Sequence, residues 1–184
     1  MKTRIISGNY RGRNIYFPDG IFFRPSLQRV KKSIFDILKP HVKNSLFLDL
    51  FACSGNVGIE ALSREAKKVL FVEHSQRAIR MLKKNLSMLN ISREDYEIRN
   101  RDVYSFISTF TQRPDIIFLD PPYTYKKTGI IIKKSLALNP QILIAEVPFG
   151  FDAEDIDGWV KEERRYGQTK IYIFKSKSNI SGDI

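Results

Sequence analysis

Four consecutive residues, Asp120-Pro121-Pro122-Tyr123, carry the most specific chemistry in this chain, and they follow directly on the apolar run Ile116-Ile117-Phe118-Leu119. A short apolar run stopped by proline reads as a buried strand ending at its carboxyl edge. Two prolines fix φ and remove two backbone donors, which leaves carbonyls there to accept hydrogen bonds from a ligand. A planar exocyclic amine of a nucleobase meets that demand. One N–H goes to the Asp120 carboxylate, the other to the Pro121 carbonyl, and Tyr123 lies against the base. Holding both hydrogens draws the nitrogen lone pair out of conjugation and makes the amine a nucleophile. Taken alone, the same four residues are equally an ordinary turn.

They do not stand alone. About seventy residues upstream runs Leu48-Asp49-Leu50-Phe51-Ala52-Cys53-Ser54-Gly55-Asn56-Val57-Gly58, a strand, a loop of small residues and a helix start. Small residues let backbone N–H groups approach a ligand, and the helix amino terminus favours negative charge. The phosphate-loop pattern G-x-x-x-x-G-K-[ST] is absent, as is the strict G-x-G-x-x-G. The segment is similar to the first motif of S-adenosylmethionine-dependent methyltransferases with a Rossmann-like sheet. Its pairing with Asp-Pro-Pro-Tyr is far more specific than either motif.

The elements that position these residues alternate. Apolar strands are expected from Leu46 to Asp49 and at 68–73, 96–102, 116–119 and 141–147, with two final strands within 157–175; helices are expected from the N-cap Ser26 to a stop at Pro40 and at 56–65, 75–90 and 130–138. Such alternation gives a doubly wound α/β sheet, whose ligands bind at strand carboxyl ends. Asp49, Glu73, Asp102 and Asp120 all end strands, so three acids hold a cofactor and the fourth the target amine. Glu73, eighteen residues past Gly55, is placed to bind a ribose, or else to cap the next helix. Asp102 is placed for an adenine amine, or else as the N-cap of the helix at Val103. Residues 4–8 and 12–17 read as a hairpin around Asn9-Tyr10-Arg11-Gly12. In the helix from Ser26, the residues Leu27, Val30, Ile34, Ile37 and Leu38 form the apolar stripe, with Arg29, Lys31 and Lys32 off it. The segment Tyr125-Lys126-Lys127 reads as a mobile loop that closes over substrate, and Ser176 to Ile184 as a frayed polar tail.

The net charge of +11 is concentrated: residues 1–45 hold ten Lys/Arg against two acids. A basic segment beside an amine-binding site implies a polyanionic substrate held through phosphate contacts, although Lys and Arg also simply solubilise surfaces. One cysteine, Cys53, and two isolated histidines, His41 and His74, make neither an internal disulfide nor a metal cluster. No apolar run reaches membrane-spanning length and no charged-then-apolar leader opens the chain, so a cytoplasmic location is expected.

With these residues in view, the chain resembles the bacterial small-subunit (16S) ribosomal RNA guanine-N2 methyltransferases of the RsmD type. The resemblance runs over residues 3–175. It rests on Arg4-Ile5-Ile6-Ser7-Gly8, Arg11-Gly12-Arg13, Arg24-Pro25-Ser26 with Arg29-Val30-Lys31, Leu48 to Gly55, Gly58 to Arg64, Phe118 to Tyr123 and Arg165 to Thr169. It implies a single Rossmann-like class I methyltransferase domain over 1–175, its seven-stranded sheet having the last strand antiparallel, with a basic N-terminal β-hairpin within 1–25. It implies S-adenosylmethionine as donor, S-adenosylhomocysteine as product and no metal. Asp49, Phe51, Cys53, Ser54, Gly55, Gly58, Glu73 and Asp102 would hold the cofactor, and Asp120, Pro121 and Tyr123 the guanine. Arg4, Arg11, Arg13, Arg24 and Arg29 would hold RNA of the small ribosomal subunit, with the protein acting as a monomer. The family usually has glycine where this chain has Cys53, and threonine is common at Ser26. A cysteine Cβ takes room beside the methionine moiety or requires a different φ. Two other readings use the same residues: a DNA adenine-N6 methyltransferase, for which the chain lacks a sequence-reading domain, and an idle RNA-binding assembly protein in which Cys53 has spoiled the cofactor site.

Overall fold

The computed structural model describes residues 1–20 and 26–177, so the expectations for Arg24 and for the tail beyond 177 lie outside the described residues. The chain opens with two three-residue strands, β1 (Lys2–Arg4) and β2 (Asn14–Tyr16), followed by helix α1 (Ser26–Leu38). Strand β3 (Leu46–Leu50) then leads through α2 (Asn56–Ser63) to β4 (Lys68–Glu73), and through α3 (Gln76–Met88) to β5 (Tyr96–Asn100). After α4 (Val103–Ile107) the chain returns to lay β6 (Ile116–Leu119) on the other side of β3, and α5 (Thr128–Leu136) carries it on to β7 (Ile142–Pro148). Strands β8 (Trp159–Tyr166) and β9 (Thr169–Ser176) finish the sheet, whose order is β5-β4-β3-β6-β7-β9-β8. Strands β3 to β7 pair with one another in parallel, and β9 is antiparallel to both of its neighbours. This is the expected seven-stranded sheet with its last strand antiparallel.

The two faces of the sheet explain the continuous apolar runs, because helices cover both. Ile116, Phe118, Ile142 and Ile144 pack with Val30, Ile34 and Phe35 of α1, with α2 and with α3. Ile117, Leu119, Leu143 and Ala145 alternate with them and pack under α4 and α5. The chain moves outward from β3 in one direction and then from β6 in the other, so the loops after β3 and β6 diverge. That divergence is the switch point at which doubly wound sheets open a crevice.

The N-terminal hairpin is shorter in its strands than expected and much more firmly attached. Thr3 pairs with Ile15, and residues 5–13 form a loop closed by Ile5 N–H to the Arg13 carbonyl at 3.0 Å. Ile5 and Ile15 belong to the main core. Gly8, at φ +83°, lies so close to the end of α2 that a Cβ would sit 1.7 Å from the Ser63 carbonyl oxygen. The fully buried Glu60 carboxylate receives the N–H groups of Ile6 (2.8 Å) and Ser7 (3.0 Å), the Arg64 guanidinium (3.0 Å) and the Lys31 ammonium (3.1 Å). Lys31, expected only to lie off the apolar stripe of α1, is thereby drawn into the interior. It is 2% exposed. Its Nζ also donates to Asn56 Oδ1 and to the Arg4 carbonyl. Burial holds its pKa below the usual lysine range, with Glu60 pulling the other way.

The segment after Tyr123 is also pinned rather than loose. Tyr125 N–H closes a turn onto the Pro122 carbonyl at 2.7 Å, and its ring meets Phe51 edge-on at 5.0 Å. Lys127 lies over the Tyr104 ring. Thr128 Oγ1 donates to the Tyr125 carbonyl where α5 begins.

Candidate active site

At the switch point lies one cleft with two lobes. The inner lobe, about 480 Å³, is lined by Asp49, Phe51, Ala52, Cys53, Ser54, Asn56 and Val57 from the first loop. Asp120, Pro122 and Tyr123 face them, Glu146 and Thr169 close one end, and Val30, Lys31 and Ile34 of α1 form the lid side. The outer lobe, about 520 Å³, shares Phe51, Cys53, Asp120, Pro122 and Tyr123 and adds Glu73, His74, Ser75, Pro121 and the segment Pro18-Asp19-Gly20. The structure thus brings together Asp49, Phe51, Cys53, Ser54, Glu73, Asp120, Pro121 and Tyr123, which sequence reasoning gathers from three separate segments.

Three of the expected cofactor residues stand apart from both lobes. Gly58 donates its N–H to Asp49 Oδ2 at 2.9 Å, and a Cβ there would lie 2.8 Å from that oxygen and 2.3 Å from the Phe71 ring. Gly55, at φ +80°, has Leu82 2.4 Å from where its Cβ would be. Both glycines are demanded by packing behind the loop rather than by approach to a ligand. Asp102 Oδ1 accepts the Ser105 N–H at 2.9 Å, so it is the N-cap of α4. Its charge also reaches Tyr125, whose pKa is raised first by burial and then by Asp102.

The loop itself is bent by left-handed residues, Phe51 at φ +64° and Cys53 at φ +48°. This conformation costs an L-residue roughly 1–2 kcal/mol, and it gives a physical reason for glycine to be favoured at position 53. Cys53 adopts it with its amide held by Glu73 Oε2 at 2.9 Å. Burial first, and then the Glu73 charge, push its thiol up to about 12, so it is neutral at physiological pH. Glu73 Oε1 takes the amides of His74 and Ser75 at 2.9 and 2.8 Å. Its capping and its cavity-facing position coexist, since a carboxylate has about four acceptor sites.

The acids on the other side of the cleft are bonded differently. Asp120 accepts no hydrogen bond from the described residues, nor does the Pro121 carbonyl. Burial raises the Asp120 carboxyl to about 7. Asp49 is raised to about 8, by burial first and then by the Asp120 and Glu73 charges, with the Gly58 amide opposing. Tyr123 is 47% exposed, and its hydroxyl is bonded to Thr169 Oγ1 at 2.9 Å, which holds the ring at the rim.

Of the expected RNA-binding arginines, Arg4, Arg11, Arg13 and Arg29 are exposed. Neither Arg4 nor Arg29 lines the cleft, but the Arg4 carbonyl bonds Lys31 and Arg29 precedes Val30 in α1, and both Lys31 and Val30 line it. Arg11 lies in the tip that packs on Ser63, at the far end of α2, and Arg13 donates to the Met88 carbonyl at the far end of α3. Eight residues of helix put that tip about 12 Å from the cleft end of α2.

Sequence reasoning missed Glu60, Asn85, Lys31, Thr169 and the role of Glu146. Asn85 is fully buried and joins three segments, its amide donating to the Tyr16 and Ser54 carbonyls and accepting from Tyr16 N–H. The available signal was a polar residue at a core position: Asn85 lies three beyond Leu82 and beside Leu86, and Lys31 three before Ile34.

The cleft fits a cofactor of the expected kind. The Ser54 hydroxyl is buried without a hydrogen-bond partner among the described residues, and that residue lines the inner lobe. Asn56 and Val57 bring the amino terminus of α2 to the same wall. No group of three or more His, Cys, Asp or Glu among the described residues is arranged to hold a metal. No helix among them is long and apolar enough to cross a membrane.

Comparison with known proteins gives this geometry its context. The family model described as "Conserved hypothetical protein 95" matches residues 3–175. Ribosomal RNA small subunit methyltransferase D of Haemophilus influenzae is 41% identical over 126 residues, 67% of this chain and 65% of that protein. The protein of the same name from Escherichia coli K12 is 36% identical over 99% of this chain and 94% of its own. The solved structure of the Escherichia coli methyltransferase candidate yhhF superposes with a TM-score of 0.84 at 28% identity, covering 96% of this chain and 98% of that one.

Proposed function

This chain belongs to the family of ribosomal RNA small subunit methyltransferase D, and from that premise we propose that it transfers a methyl group from S-adenosylmethionine to the N2 amine of a guanine in 16S ribosomal RNA. The observation that carries this reading is the pair of unpartnered acceptors, the Asp120 carboxyl and the Pro121 carbonyl, facing the small-residue loop across the switch-point cleft. When bound, S-adenosylmethionine supplies a methyl group activated by its sulfonium.

The protein's own part is orientation and proton handling. The first loop and Ser54 fix the donor's methionine side, and Glu73 holds its ribose at the outer lobe. Asp120 and the Pro121 carbonyl hold the two N2 hydrogens, which aims the nitrogen lone pair out of the base plane toward the donor. Tyr123, braced by Thr169, offers its ring face for stacking. Once methylated, the nitrogen carries a surplus proton, and the Asp120 carboxylate, with a pKa near 7, is an effective acceptor for it. The target guanine has to leave its stack to reach the cleft. Arg4 and Arg29 near the cleft, and Arg11 and Arg13 at the hairpin tip, supply phosphate contacts. A substrate that belongs to the ribosome implies a cytoplasmic location.

The test is transfer of labelled methyl to small subunits from cells lacking this gene, to naked small-subunit RNA and to duplex DNA. Label recovered as N2-methylguanosine from subunit RNA is the expected result. Label confined to adenine of DNA, or no label on any substrate, overturns the reading.

A further inference from the structure

One group in the cleft has no task in the mechanism above. Glu146, near the end of β7, is 6% exposed, lines the inner lobe and accepts no hydrogen bond from the described residues. A buried carboxyl without a partner costs stability unless something else uses it. Its position relative to Asp120 follows from the sheet. Leu119 of β6 is registered against Ala145 of β7 in a parallel pair, so the next residues, Asp120 and Glu146, lie side by side. Alternation puts both on the face of Phe118 and Ile144, opposite that of Leu119 and Ala145. Adjacent strands are about 4.8 Å apart, so two neighbouring carboxyls project together into one cavity.

We propose that Glu146 is a specificity-determining residue that reads the N1–H and O6 edge of the target guanine while Asp120 holds the adjoining N2 amine. This inference rests on the guanine-N2 reading above. On guanine, N2–H, N1–H and O6 follow one another along a single edge. An acceptor for the N2 hydrogen beside N1 brings N1–H against whatever group stands next to that acceptor, and here that group is Glu146. Burial and the neighbouring Asp120 charge raise the Glu146 carboxyl well above its ordinary range. Both causes favour its protonated form. A protonated carboxyl offers a carbonyl that accepts and a hydroxyl that donates, the complement of N1–H and O6. Uridine, cytidine and adenosine do not present this edge beside an amine at the same place, so the pair of carboxyls selects the base as well as activating it.

The experiment compares kcat/KM on two small-subunit RNA substrates that differ only at the target base, guanine or 2-aminopurine. The analogue keeps the N2 amine but lacks N1–H and O6. The unmodified protein should favour guanine by on the order of a hundredfold, since a site built for hydrogen bonds rejects a base that leaves its polar groups unpaired. Glu146→Gln, whose amide keeps an acceptor and a donor, should preserve most of that ratio, and Glu146→Met should bring it within a few-fold of one. Calorimetric S-adenosylmethionine affinity of the two variants should stay close to that of the parent. Equal rates on both bases by the unmodified protein, or an unchanged ratio in a folded Met variant, overturn the role of Glu146 and leave the guanine-N2 reading standing. Absence of transfer to guanine by the unmodified protein refutes the guanine-N2 reading itself. The first comparison needs no variant, so poor folding of Glu146→Met does not shield the proposal.

Discussion

Glu60, fully buried behind the cleft, and Asp120, half-buried in its wall, are both acids of this region, yet the protein treats them in opposite ways. Glu60, behind the first loop, is surrounded by four donors that belong to the chain. Asp120 and Glu146, across the switch point, receive no donor from the described residues. An acid supplied with internal donors is part of the scaffold, because its charge is compensated before any ligand arrives. An acid left without them destabilises the fold and is held in readiness for donors from outside. The cleft is thus built from a saturated wall that shapes the loop and an unsaturated wall whose acceptors are left open to the cavity.

The most severe way to break the saturated wall is Glu60→Ala. It strands the Lys31 ammonium, the Arg64 guanidinium and the amides of Ile6 and Ser7, and removing one partner of a buried ion pair costs about 3–5 kcal/mol. The expected outcome is a loss of that size in chemical denaturation, with amide exchange rising first in residues 5–13. A stability change under about 1 kcal/mol would show that the hairpin is held by its apolar contacts instead.

Breaking the unsaturated wall should cost activity and spare the fold. Asp120→Ala removes one of two acceptors for the amine, and loss of such a preorganised contact lowers kcat by on the order of 10²–10³. Cofactor affinity by calorimetry should remain within a few-fold of the parent, because the carboxyl is assigned to the base. A matching collapse of cofactor binding would move Asp120 to the saturated wall and refute the division.

This division also marks what the sequence could and could not reveal. Asp120-Pro121-Pro122-Tyr123 and Asp49 to Gly58 were legible because strand, loop and helix start are local patterns, and the sheet followed from their alternation. Glu60 was not legible, since its burial depends on the hairpin folding back across α2, a contact between residues more than fifty apart in sequence. The glycines do a different job in the fold. Gly55 and Gly58 lie in the small-residue motif, but their absent side chains make room for Leu82, Phe71 and Asp49, and the cavity-lining positions belong to Cys53, Ser54, Asn56 and Val57. Glu146 was visible only as an unexplained acid, because its meaning comes from register against Asp120.

A smaller effect sharpens the same comparison through pH. Burial raises Asp120 from an ordinary 3.8 to about 7 in the folded chain. Between those values the unfolded chain releases the proton while the folded one keeps it, so folding loses stability as pH rises through this window. Asp120→Asn should therefore leave stability unchanged well below the unfolded value of 3.8 and increase it by about 1 kcal/mol at pH 7, allowing for screening at the partly open cleft. Transfer by the parent should move the other way, rising with pH through about 7 as the carboxylate that accepts the amine forms. Denaturation midpoints and kcat/KM over the same pH series check both signs. A variant less stable than the parent at pH 7 would mean that Asp120 has a structural partner after all.

The smallest effect lies outside the cleft, where the comparison becomes one of distance. Arg11 and Arg13 stand at the far ends of α2 and α3, about 12 Å or more from the cleft end of α2, whereas Arg29 is next in sequence to Val30 of the cleft lining. If the RNA footprint spans this length, replacing Arg11 and Arg13 with Ala should weaken substrate binding a few-fold and reduce the slope of log K against log salt by about 1.5, roughly 0.7 for each single-strand phosphate that is no longer neutralised. Turnover at saturating RNA should be unchanged, because neither side chain reaches the reacting atoms. Arg13 also caps the Met88 carbonyl, so its part in any loss of stability, about 0.5 kcal/mol, is measured on Arg13→Ala alone. Arg29→Ala should lower both the slope and the rate of transfer, since a phosphate held there lies close enough to fix the base. An unchanged slope in the Arg11 and Arg13 variant would confine the footprint to the cleft rim and leave the hairpin tip as scaffold, joined to the saturated wall that Glu60 organises.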